Sequence, residues 1–144
     1  MTVLKIVCGP DPIFKKSAEL VSEFDDSIRK SLKDMADTLY YHKALGIGAN
    51  MVGILQQLIV VDLQQDGEKL LYKMVNPKIT FSSEQTDFFM EGSVSFPGIQ
   101  AKIERPKSIE VEYYTEDGEQ KYLKADGMLA RVIQHEIDYL NGKV

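Results

Sequence analysis

Apolar positions recur along this chain with two periods. From Asp26 to Tyr41, the residues Ile28, Leu32, Met35 and Leu39 fall three or four apart, which predicts an amphipathic helix beginning at Asp25 or Asp26. Acidic residues open it, the sign that suits a helix N-terminus. Near the end of the chain Ile133, Ile137 and Leu140 repeat that spacing and predict a more buried helix, capped by Asp126 and closed by Gly142. Between the helices the pattern is extended. Leu58–Val61 is an unbroken apolar run ending at Asp62, and Leu70–Val75, Lys78–Phe81, Ile99–Ile103, Ile109–Tyr114 and Gln120–Leu123 are further predicted strands. Gln64–Glu68 and Thr115–Gly118 read as hairpin turns, Asn76-Pro77 and Pro97-Gly98 as turns, and Ser82–Asp87 as polar loop. Val3–Val7 is a short strand or extended arm broken at Gly9-Pro10-Asp11-Pro12, and residues 13–24 carry no clear pattern.

These elements predict an α+β fold in one domain, residues 1–144, with antiparallel strands wrapped around a central C-terminal helix and the Asp25–Tyr41 helix outside. Composition adds exclusions. The net charge is −5 and no basic block is present, so no nucleic-acid partner is expected. No apolar run approaches the length that spans a bilayer, and no signal peptide opens the chain, so no membrane association and a cytoplasmic location are expected. The single cysteine, Cys8, rules out an internal disulfide and is read as a buried, inert thiol. The oligomeric state is not legible.

The candidate chemistry lies on the last helix, in Gln134-His135-Glu136-Ile137-Asp138-Tyr139-Leu140. A histidine at 139 would make this the H-E-x-x-H arrangement, with two imidazoles on a metal and the glutamate as general base. The chain has Tyr139 instead. His42 reads as a solvated residue at the end of the first helix. Gly46-Ile47-Gly48 implies tight backbone geometry or close approach of another segment. No preceding strand or third glycine supports a dinucleotide site.

Three segments together resemble the peptide deformylases, metal hydrolases that remove the formyl group from the initiator methionine of nascent proteins. They are the glycine-containing segment running into Val52–Asp62, then Glu91-Gly92-Ser93-Val94-Ser95 where the family has E-G-C-L-S, then Gln134–Leu140 where it has Q-H-E-x-D-H-L. Val75-Asn76-Pro77, Arg105 and Ala125-Asp126-Gly127 add to the likeness. The resemblance implies the deformylase fold, with His135, Ser93 and Tyr139 at the metal-ligand positions and Glu136 at the general-base position. It also puts Met51 where a glutamine donates to the oxyanion, and makes the Val94 backbone amide the second donor. The substrate cleft is expected along Gly46, Ile47, Gly48, Glu91 and Gly92. Relatives usually continue past the third motif, in some members with a helix that contacts the ribosome; no ribosome association is carried over.

The substitutions change what the resemblance implies. Serine replaces a thiolate at 93, and tyrosine replaces an imidazole at 139; neither hydroxyl is a strong ligand while protonated. A thioether at 51 donates no hydrogen bond, and loss of one oxyanion donor typically costs about 10²–10³ in rate. The segment Gly48–Val52 is also read as about two residues short. The expectation is a deformylase-like protein that keeps the fold but has lost the metal site and the activity, with Glu136 idle and no cofactor, and that binds a peptide or protein N-terminus in the cleft. A Ser93–His135–Tyr139–Glu136 hydrogen-bonded cluster is expected where the metal would sit. The alternative is a divergent metal-dependent hydrolase, holding iron, zinc or nickel and using His135 and Glu136. Metal-free nucleophilic catalysis by Ser93, with His135 as base, ranks below both.

Overall fold

The structure is a computed structural model that describes residues 2–9, 11–64, 70–93 and 95–142. The first helix, α1, spans Asp26–Tyr41, and the second, α2, spans Gly127–Leu140. The strands are β1 (Gly46–Gly48), β2 (Leu58–Val61), β3 (Tyr72–Ser82), β4 (Thr86–Ser93), β5 (Phe96–Pro106), β6 (Ser108–Tyr114) and β7 (Gln120–Asp126). They form a five-stranded antiparallel sheet in the order β1-β2-β3-β6-β7 and a separate two-stranded arm, β4-β5.

Each helix forms for local reasons and is held by its apolar stripe. The Asp25 carboxylate accepts from the Ile28 N–H at 3.1 Å and caps α1. The predicted stripe Ile28, Leu32, Met35 and Leu39 is buried. In α2, Ile133, Ile137 and Leu140 enter the same core, which also takes Ile47, Leu58–Val61, Met74, Val75, Ile109 and Val111 from the large sheet. Asp126 stands at the N-cap, as expected, but its side chain makes no capping bond. At the other end the Leu140 carbonyl accepts from the Ala18 N–H (2.7 Å) and the Tyr139 carbonyl from Asn50 Nδ2 (2.7 Å), so this buried terminus is satisfied by other segments. Gly142 follows at φ +77°, the left-handed residue predicted to end the helix.

Several expectations are corrected. Asn76-Pro77 does not turn the chain: β3 runs through it, with Asn76 at φ +53° and a register shift between Val75 and Lys78. The side chain of Asn76 explains the kink, since its amide clasps Val21 through the N–H (2.8 Å) and C=O (2.9 Å). Thr86 and Asp87 belong to β4 rather than to a loop. Pro97-Gly98 falls within β5, beside the register shift between Gly92 and Ser93. Cys8 is exposed, because residues 2–9 form an extended arm on the surface. The turn at Gln64–Glu68 lies outside the described residues from Gln65 onward, as does Pro10. No helix among the described residues is long and apolar enough to cross a membrane.

β1 is positioned by a glycine that only a glycine can replace. A Cβ on Gly46 would lie 2.7 Å from Val132 Cγ1 and 3.1 Å from Glu136 Cγ, so the strand could not sit against α2. Gly46→Ala is therefore expected to cost about 1–3 kcal/mol in a urea titration, the usual range for overpacking. An unchanged midpoint would show that β1 and α2 can separate freely.

Candidate functional site

No described side chain of β4 or β5 belongs to the apolar core. The arm is fastened to α2 instead by a cluster of charges centred on Glu91. Alternation along β4 turns Glu91 toward the helix. Arg105 on β5 grips its carboxylate with two bonds, Nε to Oε2 at 2.7 Å and Nη2 to Oε1 at 2.8 Å, and reaches Asp138 Oδ2 at 2.7 Å with Nη1. Arg131 on α2 donates to Glu91 Oε2, to Asp87 Oδ1 (2.7 Å) and to the carbonyls of Asp87 (2.9 Å) and Ile103 (3.1 Å). His135 Nδ1 lies 2.9 Å from Glu91 Oε1. Burial pushes the Glu91 carboxyl up, but the hydrogen bonds from His135, Arg105 and Arg131 and the charge of Arg105 outweigh it and hold the group down at about 2. Because an ionised carboxylate only accepts, Nδ1 of His135 carries the proton and fixes the ring. Burial works against the His135 cation, yet the Glu91 hydrogen bond and the nearby carboxylates raise its pKa.

His135 Nε2 is buried and has no hydrogen-bond partner among the described residues. The Tyr139 ring lies against the His135 ring, with centroids 4.5 Å apart and planes at 35°, and its far edge meets Phe14. Burial raises the phenol's pKa, against the pull of a hydrogen bond with the Ser93 side chain. Glu136 is buried, 3% exposed, and its Oε1 has no hydrogen-bond partner among the described residues. Burial raises its pKa also, opposed by the His135 charge and the Gly48 N–H. Met51 is buried too, with its sulfur 3.3 Å from the Gly48 N–H. Tyr139 thus packs on His135, and Ser93 Oγ accepts from the Ser95 N–H at 3.2 Å.

Met51, Ser93, His135 and Glu136 line a cleft of about 400 Å³ between β1 and β4, and Tyr139 is not among its lining residues. Its apolar wall is Leu45, Phe89, Met90, Met128 and Val132. Leu45 O accepts from the Asp62 N–H, so the pairing of β1 with β2 uses Leu45 and Ile47 and leaves the backbone N–H and C=O of Gly46 on the free edge. Both β1 and β4 present an unpaired edge to this space.

Of the residues expected here, Gly46, Met51, Glu91, Gly92, Ser93, His135 and Glu136 line the cleft. Ile47 does not: it points into the core. Gly48 lies behind the cleft, where a Cβ would be 3.4 Å from Asn50 Oδ1 and 3.5 Å from Leu140 Cδ2. Glu91 lines the cleft but is engaged with its cations rather than offered to a ligand. The Val94 amide lies outside the described residues. Arg131 escaped the sequence reading, although its spacing from His135 (four) and Asp138 (seven) places all three on one helix face. Among the described residues no three His, Cys, Asp or Glu side chains converge to hold a metal ion.

Residues 3–144 match the polypeptide deformylase family, and this chain belongs to it. A protein of Rickettsia conorii named peptide deformylase-like is 49% identical over 96% of this chain and 76% of its own length. The peptide deformylase of Brucella suis is 39% identical over 99% of this chain and 82% of its own. The crystal structure of the Thermotoga maritima peptide deformylase superposes with a TM-score of 0.92 at 35% identity, covering 99% of this chain and 94% of that one. The Ehrlichia chaffeensis enzyme in complex with actinonin gives 0.92 at 39% identity, covering 100% and 87%.

The Glu91 cluster makes acid stability specific to one part of the molecule. A carboxyl held below its ordinary value stabilises the fold fully above about 4.5 and loses that contribution as pH falls toward about 2. Amide protection in Thr86–Pro106 is expected to fall in that window before protection in β2 and β3. Glu91→Gln should loosen the arm at neutral pH, at a cost of about 1.5–3 kcal/mol, because the two guanidiniums lose their shared carboxylate and keep only the more exposed Asp138 and Asp87. Simultaneous loss of protection across both sheets would contradict this.

Proposed function

We propose that this chain is a peptide-binding member of the deformylase family in which hydrogen-bonding side chains replace the metal centre, so that it holds N-terminal peptide segments without hydrolysing a formyl group. The observation that carries the reading is Tyr139, whose ring centroid lies 4.5 Å from that of His135 where the family resemblance puts a second imidazole. The donor set is one imidazole and two hydroxyls. Iron, zinc and nickel sites of hydrolases draw on thiolate, imidazole or carboxylate ligands, and this set does not fit them. Met51 supports the same reading, since a thioether already facing the Gly48 N–H offers no hydrogen to a developing oxyanion.

Peptide binding needs none of the lost groups. A strand laid between β1 and β4 would bond to the free N–H and C=O of Gly46, and alternate side chains would enter the apolar wall of Leu45, Met128 and Val132. The ligand is a peptide or a protein N-terminus. Glu136 and His135 stand at the inner end and meet its first residue.

A second reading, a divergent metal-dependent hydrolase, draws support from His135 Nε2 and Glu136 Oε1, which have no hydrogen-bond partner among the described residues. Family membership alone is compatible with either.

Formyl-methionyl peptides are expected to bind the wild-type chain without releasing formate. Ser93→Cys with Tyr139→His should create zinc binding, and adding Met51→Gln should raise formate release by about 10²–10³ over that double variant. Formate release by the wild-type chain as fast as by the restored triple variant would favour the hydrolase.

A further inference from the structure

Helix α1 ends in a hydrogen-bond pattern that ordinarily takes glycine. The Ala44 N–H bonds the Leu39 carbonyl (3.0 Å) and the Lys43 N–H bonds the Tyr40 carbonyl (3.2 Å), the paired bonds of a Schellman cap. The left-handed residue of that cap, at φ +54°, is Lys43. A lysine there carries backbone strain that glycine would relieve. Strain of this kind is retained where the side chain has work to do.

The position of Lys43 shows what that work is. It lines the cleft at the solvent end, three residues before Gly46. The other charged groups lining the cleft are committed or distant: Glu91 and Arg131 pair with each other, His135 bonds Glu91, and Glu136 is buried at the inner end. Lys43 is exposed, and among the described residues it has no ion-pair partner. A peptide whose first residue meets His135 and Glu136 runs outward, antiparallel to β1. From its first residue to its third is two extended steps, about 7 Å, and the chain from Gly46 back to Lys43 turns through a bend at Leu45, which keeps the long lysine side chain within the range of that third residue.

We propose that Lys43 is a specificity residue that pairs with a carboxylate on the third residue of a peptide bound along β1. The inference rests on the peptide-binding reading of the cleft and adds a preference to it. It assigns Lys43 no part in any chemical step.

The test uses three N-formylated, C-amidated peptides, Met-Ala-Glu-Ser, Met-Ala-Ala-Ser and Met-Ala-Lys-Ser, titrated calorimetrically at low salt. The glutamate peptide is expected to bind up to about fivefold more tightly than the alanine peptide, the scale of one exposed ion pair. The lysine peptide should bind least well. Lys43→Glu should invert the order and Lys43→Arg should keep it. Lys43→Gly should abolish the preference while raising the melting temperature by about 2 °C, through relief of the strained cap. Binding of all three peptides alike by the wild-type chain, or a preference that survives in Lys43→Gly, overturns this inference alone. Failure of all three to bind overturns the peptide-binding reading and this inference with it.

Discussion

The cleft depends on one buried carboxylate. Glu91 sits on a two-stranded arm that adds no described side chain to the apolar core, so the arm's attachment to α2 is ionic where the rest of the fold is hydrophobic. Two arginines and a histidine converge on it from β5 and α2. A lone buried charge of either sign would be costly; here each is matched, and the exposed ends of the network run out to Asp87 and Asp138. This arrangement fixes the distance between β4 and α2 and hence the far wall of the cleft. It also sets the tautomer of His135, so the arm and the site are held by the same bonds.

The opposite wall is fixed by packing. Gly46 lets β1 lie directly on Val132 and Glu136, and Leu45 and Ile47 bond to β2, which leaves Gly46 free toward the cleft. One wall is therefore as rigid as the core, and the other as strong as its ion pairs. A peptide strand inserted between two free edges would join the separate sheets, a use of the fold that calls for no reactive group. Tyr139 belongs to both descriptions. It is a core residue by burial and Phe14 contact, and a site residue through His135.

Much of this was legible in the sequence where a period carried it. The stripes of α1 and α2 and the run Leu58–Val61 lie where periodicity puts them, because those residues share one core. Three short segments were enough to bring Ser93, Met51, His135 and Glu136 to one place. What escaped was set by contacts across long separations. Asn76-Pro77 looks like a turn until Val21, far away in sequence, takes up the asparagine amide. Glu91 lines the cleft as expected, but its pairing with Arg105 and Arg131 was not legible because they lie 14 and 40 positions away. Cys8 looked buried because a short apolar run resembles a strand, but the arm that carries it stays on the surface.

In the proposed reading, the residues around His135 hold one another rather than a metal ion. The most direct measurement is metal stoichiometry. The chain would be purified without oxygen, loaded separately with iron(II), zinc and nickel, desalted, and weighed by native mass spectrometry. The mass of the bare chain is expected in all three cases. One metal per chain, retained through desalting and lost in His135→Ala, would contradict it.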